Sequence, residues 1–264
     1  MSGMEKYALI TGATSGIGYE LAKLFAKDQY NLVIVARNEK ELNNCSNEMK
    51  QQYGVNVITI AKDLFKRESP FEVYDEVKSR GLKIDVLVND AGQGQYGEFK
   101  DTDINRELDI IQLNIGAYIT LTKCFLREMV DRKEGKILNV ASIAGKMPGP
   151  YQSVYHGTKA FVQSWSEALR SELKDSGVTV TSLLPGATET DFFNKAQMQN
   201  SKIMQEDMSD PADVAKDGYD ALMAGKDMII SGMKNKMQVG MANVMPDSTV
   251  ADKTKKQQEP SKNQ

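Results

Sequence analysis

Tyr7-Ala8-Leu9-Ile10-Thr11-Gly12-Ala13-Thr14-Ser15-Gly16-Ile17-Gly18 is the stretch from which the rest of the chain can be read. Tyr7–Ile10 is a short apolar run bounded by a turn signal and predicts a buried strand. Beyond the turn, Ile17, Leu21, Leu24 and Phe25 fall on one helical stripe. A strand, a glycine turn and a helix in this order suit a dinucleotide. Gly12 permits the tight turn, and Gly16 and Gly18 let backbone N–H groups and the helix N-terminus approach a pyrophosphate. Ser15 and Ile17 belong to the same cofactor-facing turn. The glycine spacing differs from the common GxGxxG, so the strand–turn–helix context carries the reading; out of that context the turn is merely structural.

The same alternation continues downstream. Leu32–Ala36, Val55–Ile60, Asp85–Val88, Ile137–Ala141, Val178–Leu184 and Asp227–Ser231 read as strands. Helical patterns cover about 70–80, 104–130, 151–174 and 211–223, the last with Asp210 as a cap. Strands that are apolar throughout, separated by helices, imply a parallel sheet covered on both faces. Right-handed crossovers then give an α/β fold: a single doubly wound Rossmann-type parallel sheet of about seven strands with helices on both faces. One domain spans residues 1–245. The polar stretch 246–264 is expected to be a disordered tail.

Bulk properties exclude several classes. With 264 residues, 41% apolar content and a net charge of −3, the chain suits one large soluble domain with a substantial core. No basic stripe points to nucleic acid, and no apolar run is long enough to span a bilayer. Cys45 and Cys124 form neither a CxxC pair nor a zinc spacing and read as reduced packing thiols. His156 is the single histidine and no GxSxG elbow exists, which leaves a histidine-based hydrolase or metal site without its parts. A cytoplasmic location is expected, and no metal.

Two further positions bear on chemistry. The second strand ends Val35-Ala36-Arg37-Asn38, with no acid to hold a ribose 2′-hydroxyl. Arg37 lies about twenty residues past the last glycine, and its guanidinium suits a 2′-phosphate, so NADP(H) is favoured over NAD(H); a solvated surface arginine is the bland alternative. Tyr155 and Lys159 lie at i and i+4 and share a helix face, where the ammonium is expected to lower the pKa of the phenol.

These residues together resemble the short-chain dehydrogenase/reductase family. The matching elements are Thr11-Gly12-x-x-x-Gly16-Ile17-Gly18, Asp63-Leu64, Asn89-x-Ala91-Gly92, Asn114, Ser142, Tyr155-x-x-x-Lys159 and Pro185-Gly186, over residues 5 to 232. The resemblance implies Tyr155 as catalytic acid/base and Lys159 as its electrostatic partner and ribose ligand. It implies Ser142 as donor to the substrate oxygen and Asn114 as holder of a relay water. It also implies cofactor contacts from Asp63, Leu64, Asn89, Ala91 and Gly92, and from Pro185, Gly186 and Thr188 around the nicotinamide. Where the family usually has Asn-Asn-Ala-Gly, this chain has Asn89-Asp90-Ala91-Gly92, a nearly isosteric change that adds an acid.

The implied reaction moves a hydride between nicotinamide and a small-molecule carbonyl or secondary alcohol. A catalytically silent NADP(H)-binding sensor or scaffold is the alternative. Residues 188–208 carry Phe192, Phe193, Met198, Ile203 and Met204 and read as a lid with an apolar underside, suited to a medium or bulky apolar substrate. His156 is expected to point away from the chemistry, and Tyr151 either faces the substrate or packs. Met233, Met237 and Met241 suggest a helix packing on the core. The resemblance further implies a homodimer or homotetramer built through the two long helices.

Overall fold

The computed structural model describes residues 5–261. Seven parallel strands form one sheet: β1 (Tyr7–Thr11), β2 (Asn31–Ala36), β3 (Val57–Ala61), β4 (Ile84–Asn89), β5 (Gly135–Val140), β6 (Val178–Leu184) and β7 (Met228–Ile230). Their order is β3-β2-β1-β4-β5-β6-β7. The order reverses between β1 and β4, and the crevice outside their carboxyl ends is where such sheets bind ligands. The period-2 alternation of β1 is visible in the core: Ala8 and Ile10 join the apolar cluster on one face, Tyr7 and Leu9 the cluster on the other. Leu9 is fully buried, so truncating it to alanine would cost about 2–5 kcal/mol.

Helix α1 (Gly16–Lys27) follows the glycine turn. Helix α2 (Glu39–Tyr53) has no counterpart among the expected elements. Its composition is largely polar, yet Leu42, Cys45, Ser46 and Met49 make a buried stripe at helical spacing, and Asn38 caps it by accepting from the Lys40 and Glu41 amides. Helix α3 (Ser69–Ser79) comes next. The single helix expected over 104–130 is instead α4 (Ile104–Ile111) and α5 (Ala117–Asp131), joined by a π-helical turn over Gln112–Gly116 that contains Asn114. Such turns re-aim one side chain out of the regular ladder. Helix α6 (Ser153–Glu172) carries Tyr155 and Lys159 in its first two turns.

The lid contains the short helix α7 (Phe192–Lys195) and its own small core, in which Phe193, Ala196 and Met198 are buried with Tyr96, Ile203 and Met208 packed around them. Helix α8 (Pro211–Met223), capped by Asp210, packs on α1, where Phe25 meets Tyr219 edge to face at 4.9 Å. Helix α9 (Met233–Ala242) corrects one expectation: it docks through Asn235, Val239 and Ala242, while Met233, Met237 and Met241 point outward.

The polar tail is the larger correction. From Asp247 to Gln258 it forms a helix, α10, with Val250, Thr254 and Gln258 buried at i, i+4 and i+8. Its partners are distant in sequence, which explains why composition suggests disorder. Ser201 donates to the Gln258 carbonyl at 3.0 Å, the Ser261 amide donates to the Asn200 carbonyl at 2.8 Å, Lys202 pairs with Glu259, and Tyr96 also bonds the Gln258 carbonyl. The tail is therefore strapped to the lid. Residues 262–264 of the expected tail, like residues 1–4, lie outside the described residues.

Candidate active site

One cavity of about 950 Å³ runs along the carboxyl ends of the strands. Gly12, Ser15, Gly16, Ile17, Arg37, Asp63, Leu64, Ala91, Gly92, Ser142, Tyr155, Lys159, Pro185, Gly186 and Thr188 all line it. The sequence places these residues on seven separate segments, and the topological switch brings them together. Three expected site residues are not on its wall. Gly18 is packed beneath the turn, where an added Cβ would lie 2.5 Å from Asp90 Oδ2 and 2.6 Å from the Gly12 carbonyl oxygen. Asn89 is fully buried between strands and helix, its amide donating to Thr122 Oγ1 at 3.0 Å and Asn139 Oδ1 at 2.9 Å. Its place as the last residue of β4 turns the side chain inward, so Asp90 rather than Asn89 reaches the cavity. Asn114 is also buried, one layer behind Gly92.

The nucleotide end is built from backbone. Gly12 and Gly16 adopt φ of +73° and +58°, a region that favours glycine, and the Gly12 amide donates to the Val35 carbonyl at 2.9 Å. Ser15 stands at the N-cap of α1 in extended conformation without a side-chain cap. The first N–H groups of that helix thus face the cavity mouth as donors for an anion. Thr11 Oγ1 accepts from the Asp90 and Ala91 amides at 3.0 and 3.1 Å and fixes the β4 end against the turn.

Arg37 and Arg106 lie over the same ring, their guanidinium carbons 5.1 and 5.0 Å from the Phe65 centroid. Among the described residues neither makes an ion pair with a carboxylate. Burial and the neighbouring Arg37 lower the pKa of Arg106. Asp109 and Glu107 oppose that shift, and Arg106 also donates to Gln93 Oε1. The sequence reading found Arg37 but not Arg106, which comes from α4 and carries no local signal.

At the other end, Ser142 Oγ accepts from the Ala144 amide at 3.1 Å and donates to the Pro185 carbonyl at 3.3 Å. Lys159 Nζ donates to the Val140 carbonyl at 2.8 Å and lies 5.9 Å from the Tyr155 ring centroid. Asn114 is held by three protein bonds: Nδ2 to the Gln93 carbonyl at 2.9 Å and to Thr158 Oγ1 at 3.0 Å, and Oδ1 from the Gln93 amide at 3.0 Å. Asn139 Nδ2 donates to Ser166 Oγ at 2.8 Å and anchors α6 on the sheet. Gln93, Asn139, Thr158 and Ser166 position the site without touching its chemistry, and no sequence motif marks them.

Burial dominates the protonation pattern of the site. Burial pushes the Tyr155 phenol up to about 12, with Ser142 opposing and Asp90 adding to the rise. Burial also brings Lys159 down to about 8, against the pull of Asp90, and raises Asp90 to about 7, against Lys159 and the Gly18 amide. Desolvation is thus the largest influence on Tyr155 and favours its neutral phenol. His156 is not remote: it lines the cavity beside Tyr155, with Nδ1 2.8 Å from the Met147 carbonyl. Tyr151, at φ +67°, packs on Tyr96 with ring centroids 5.7 Å apart. Both cysteines are free thiols, no group of three or more His, Cys, Asp or Glu suited to a metal exists among the described residues, and no described helix is long and apolar enough to cross a membrane.

Comparison with known proteins places this geometry in context. A family model described as short chain dehydrogenase matches residues 6–201. The very-long-chain 3-oxoacyl-CoA reductase of Anas platyrhynchos is 36% identical over 189 residues, which cover 69% of this chain and 60% of that protein. The chain thus spans less than two thirds of the length of the curated relatives it matches. A short-chain dehydrogenase from Sphingobium yanoikuyae, solved in complex with NADPH, superposes with a TM-score of 0.81 at 26% identity, covering 94% of this chain and 98% of that one. The bulky-bulky ketone specific alcohol dehydrogenase of Comamonas testosteroni superposes at 0.77 with 25% identity, over 94% and 98%.

Proposed function

The chain belongs to the short-chain dehydrogenase/reductase family, and from that premise we propose that it is an NADP(H)-dependent oxidoreductase moving a hydride between nicotinamide and a carbonyl or secondary alcohol. One observation carries the proposal: Ser142, Tyr155 and Lys159 border the same cavity as the glycine turn and Arg37.

The residues fit a phosphorylated dinucleotide. The uncapped N-terminus of α1 offers amide donors to a pyrophosphate, and Arg37 with Arg106 offers charge to a 2′-phosphate. That second feature supports NADP(H) over NAD(H), and the NADPH complex of the Sphingobium protein agrees with it. When bound, the nicotinamide supplies or takes the hydride. The chain's own groups do the rest. Tyr155, and Ser142 once its hydroxyl turns from the Pro185 carbonyl, donate hydrogen bonds to the substrate oxygen as negative charge develops on it. Tyr155 then yields its proton as general acid. A phenol held near 12 keeps that proton at neutral pH and suits carbonyl reduction. Lys159 would hold the ribose of a bound nucleotide, and Asn114 fixes Gln93 and Thr158 behind it.

Met147, Phe192 and Ile203 give the substrate end an apolar wall, and Phe192 lies 5.0 Å from the Tyr155 ring. This supports a medium or bulky apolar substrate, in keeping with the names of the 3-oxoacyl-CoA and bulky-ketone relatives. Exposed Ile104, Leu108 and Ile111 on α4, Ile119 on α5 and Phe161 on α6 support a homo-oligomer through these helices. The test is NADPH oxidation over aldehydes, ketones, 3-oxoacyl esters and steroids, with NADH in parallel. Tyr155→Phe should lower turnover by about 10²–10⁴-fold while keeping NADPH affinity. Unchanged turnover would refute the assignment.

A further inference from the structure

Five buried side-chain polar atoms among the described residues lack a hydrogen-bond partner: Asn89 Oδ1, Arg132 Nε, Gln152 Nε2, Thr179 Oγ1 and Gln258 Oε1. Gln152 and Gln258 alone among these residues line the cavity, and each is 5% exposed. One atom is a donor and the other an acceptor. An unpaired buried polar group is costly and in a native fold calls for a reason.

Both side chains belong to the surroundings of His156. Gln152 precedes it by one helical turn, and Gln258 Nε2 lies 3.2 Å from His156 Nε2. The identity of the free Gln258 atom follows from this chain of contacts. The Met147 carbonyl can only accept, so His156 Nδ1 carries the hydrogen. Burial keeps the ring neutral, so His156 Nε2 accepts from the Gln258 nitrogen, and the Gln258 oxygen is left over. Gln152 is placed beside the chemistry: a single point next to Gly94 is 3.1 Å from Gln152 Nε2, 3.4 Å from Tyr155 Cδ2 and 3.0 Å from Phe192 Cζ. Phe192, a lid residue, reaches the same point as the Gln152 amide, and the end of α10, strapped to the lid, brings Gln258. The two unpaired atoms thus belong to residues that line the cavity beside the lid.

We propose that Gln152 and Gln258 form a polar subsite for an amide-type group on the substrate, whose carbonyl oxygen accepts from Gln152 Nε2 and whose N–H donates to Gln258 Oε1. The subsite rests on the carbonyl-reductase reading and refines it: the substrate is not a plain hydrocarbon ketone but carries a second hydrogen-bonding function near the reacting carbonyl.

Three probes of matched length separate the parts. N-ethyl-3-oxohexanamide offers a carbonyl and an N–H, ethyl 3-oxohexanoate the carbonyl only, and 1-ethoxyhexan-3-one neither. Because each probe is compared between wild type and variant, intrinsic electrophilicity cancels. Gln152→Met should lower kcat/KM for the amide and the ester by about 5- to 10-fold relative to the ether, the worth of one hydrogen bond. Gln258→Met should lower the amide alone by a similar factor, and Gln258→Glu, which keeps an acceptor, should retain the amide preference. Gln152→Glu, which replaces the donor by an acceptor, should penalise both carbonyl-bearing probes further. NADPH titration by fluorescence reports that each variant keeps its fold and cofactor site. Equal losses on all three probes, or no loss in folded variants, would overturn the subsite. Wild-type protein that oxidises NADPH with none of the three would instead overturn the reductase reading itself.

Discussion

Replacing Asp90 by asparagine should make the protein more stable above neutrality and leave it unchanged in acid. The Asp90 carboxyl reaches the cavity floor under the glycine turn, where burial raises it from an ordinary 3.8 to about 7. An acid whose pKa is raised on folding keeps its proton in the native state after the unfolded chain has released it. Between about pH 4 and 7 the native state therefore binds more protons, and stability falls as pH rises through that window. A rise of about three units corresponds to about 4 kcal/mol, which water in the open cavity and coupling to Lys159 reduce to about 2 kcal/mol. Lys159 works on the other side. Its pKa falls from 10.5 to about 8, so the unfolded chain binds more protons between those values and stability rises with pH there. The wild type thus has its stability minimum between about pH 7 and 8, with both charges buried. Asp90→Asn removes the acid branch. Urea unfolding followed by Trp165, the only tryptophan, should show the variant about 2 kcal/mol more stable at pH 8 and equal within about 0.5 kcal/mol at pH 4. An equal advantage at both pH values, or a variant less stable at pH 8, would refute the reasoning.

Arg37→Ala should weaken NADPH binding by about 10- to 100-fold and leave NADH within about twofold, read by fluorescence titration, because a charge-assisted bond to the 2′-phosphate is lost. Deleting residues 247–264 should lower unfolding free energy by about 1–3 kcal/mol and raise amide exchange across 196–205, since Val250 and the contacts to Ser201 and Lys202 go with the tail; NADPH affinity should stay. Gly16→Ala should cost about 1–2 kcal/mol, from positive φ and from a Cβ 2.8 Å from Thr190 Cγ2. Adding Thr190→Ser should restore the steric part in a urea titration and leave the backbone part.

The parallel α/β fold was legible in sequence because the strands are short, mostly apolar segments separated by helical patterns and the glycine turn sits between a strand and a helix. The nucleotide turn, Arg37, Ser142, Tyr155 and Lys159 were legible because each stands at a strand end or helix start with characteristic spacing. Local pattern failed where burial depends on a distant partner. Helix α2 hides a narrow apolar stripe in a polar composition, and α10 is ordered by Ser201, Lys202 and Tyr96 rather than by its own residues. Arg106 joins Arg37 only through the fold, and Asn89 left the expected site because the last residue of β4 turns inward. Spacing along the chain therefore determined which chemical groups the protein owns and the sheet that carries them. Only tertiary packing decided their charge states and their company, because desolvation and long-range contacts are properties of the folded environment. That is why burial favours the neutral Tyr155 phenol, and why a glutamine from the tail lines the cavity.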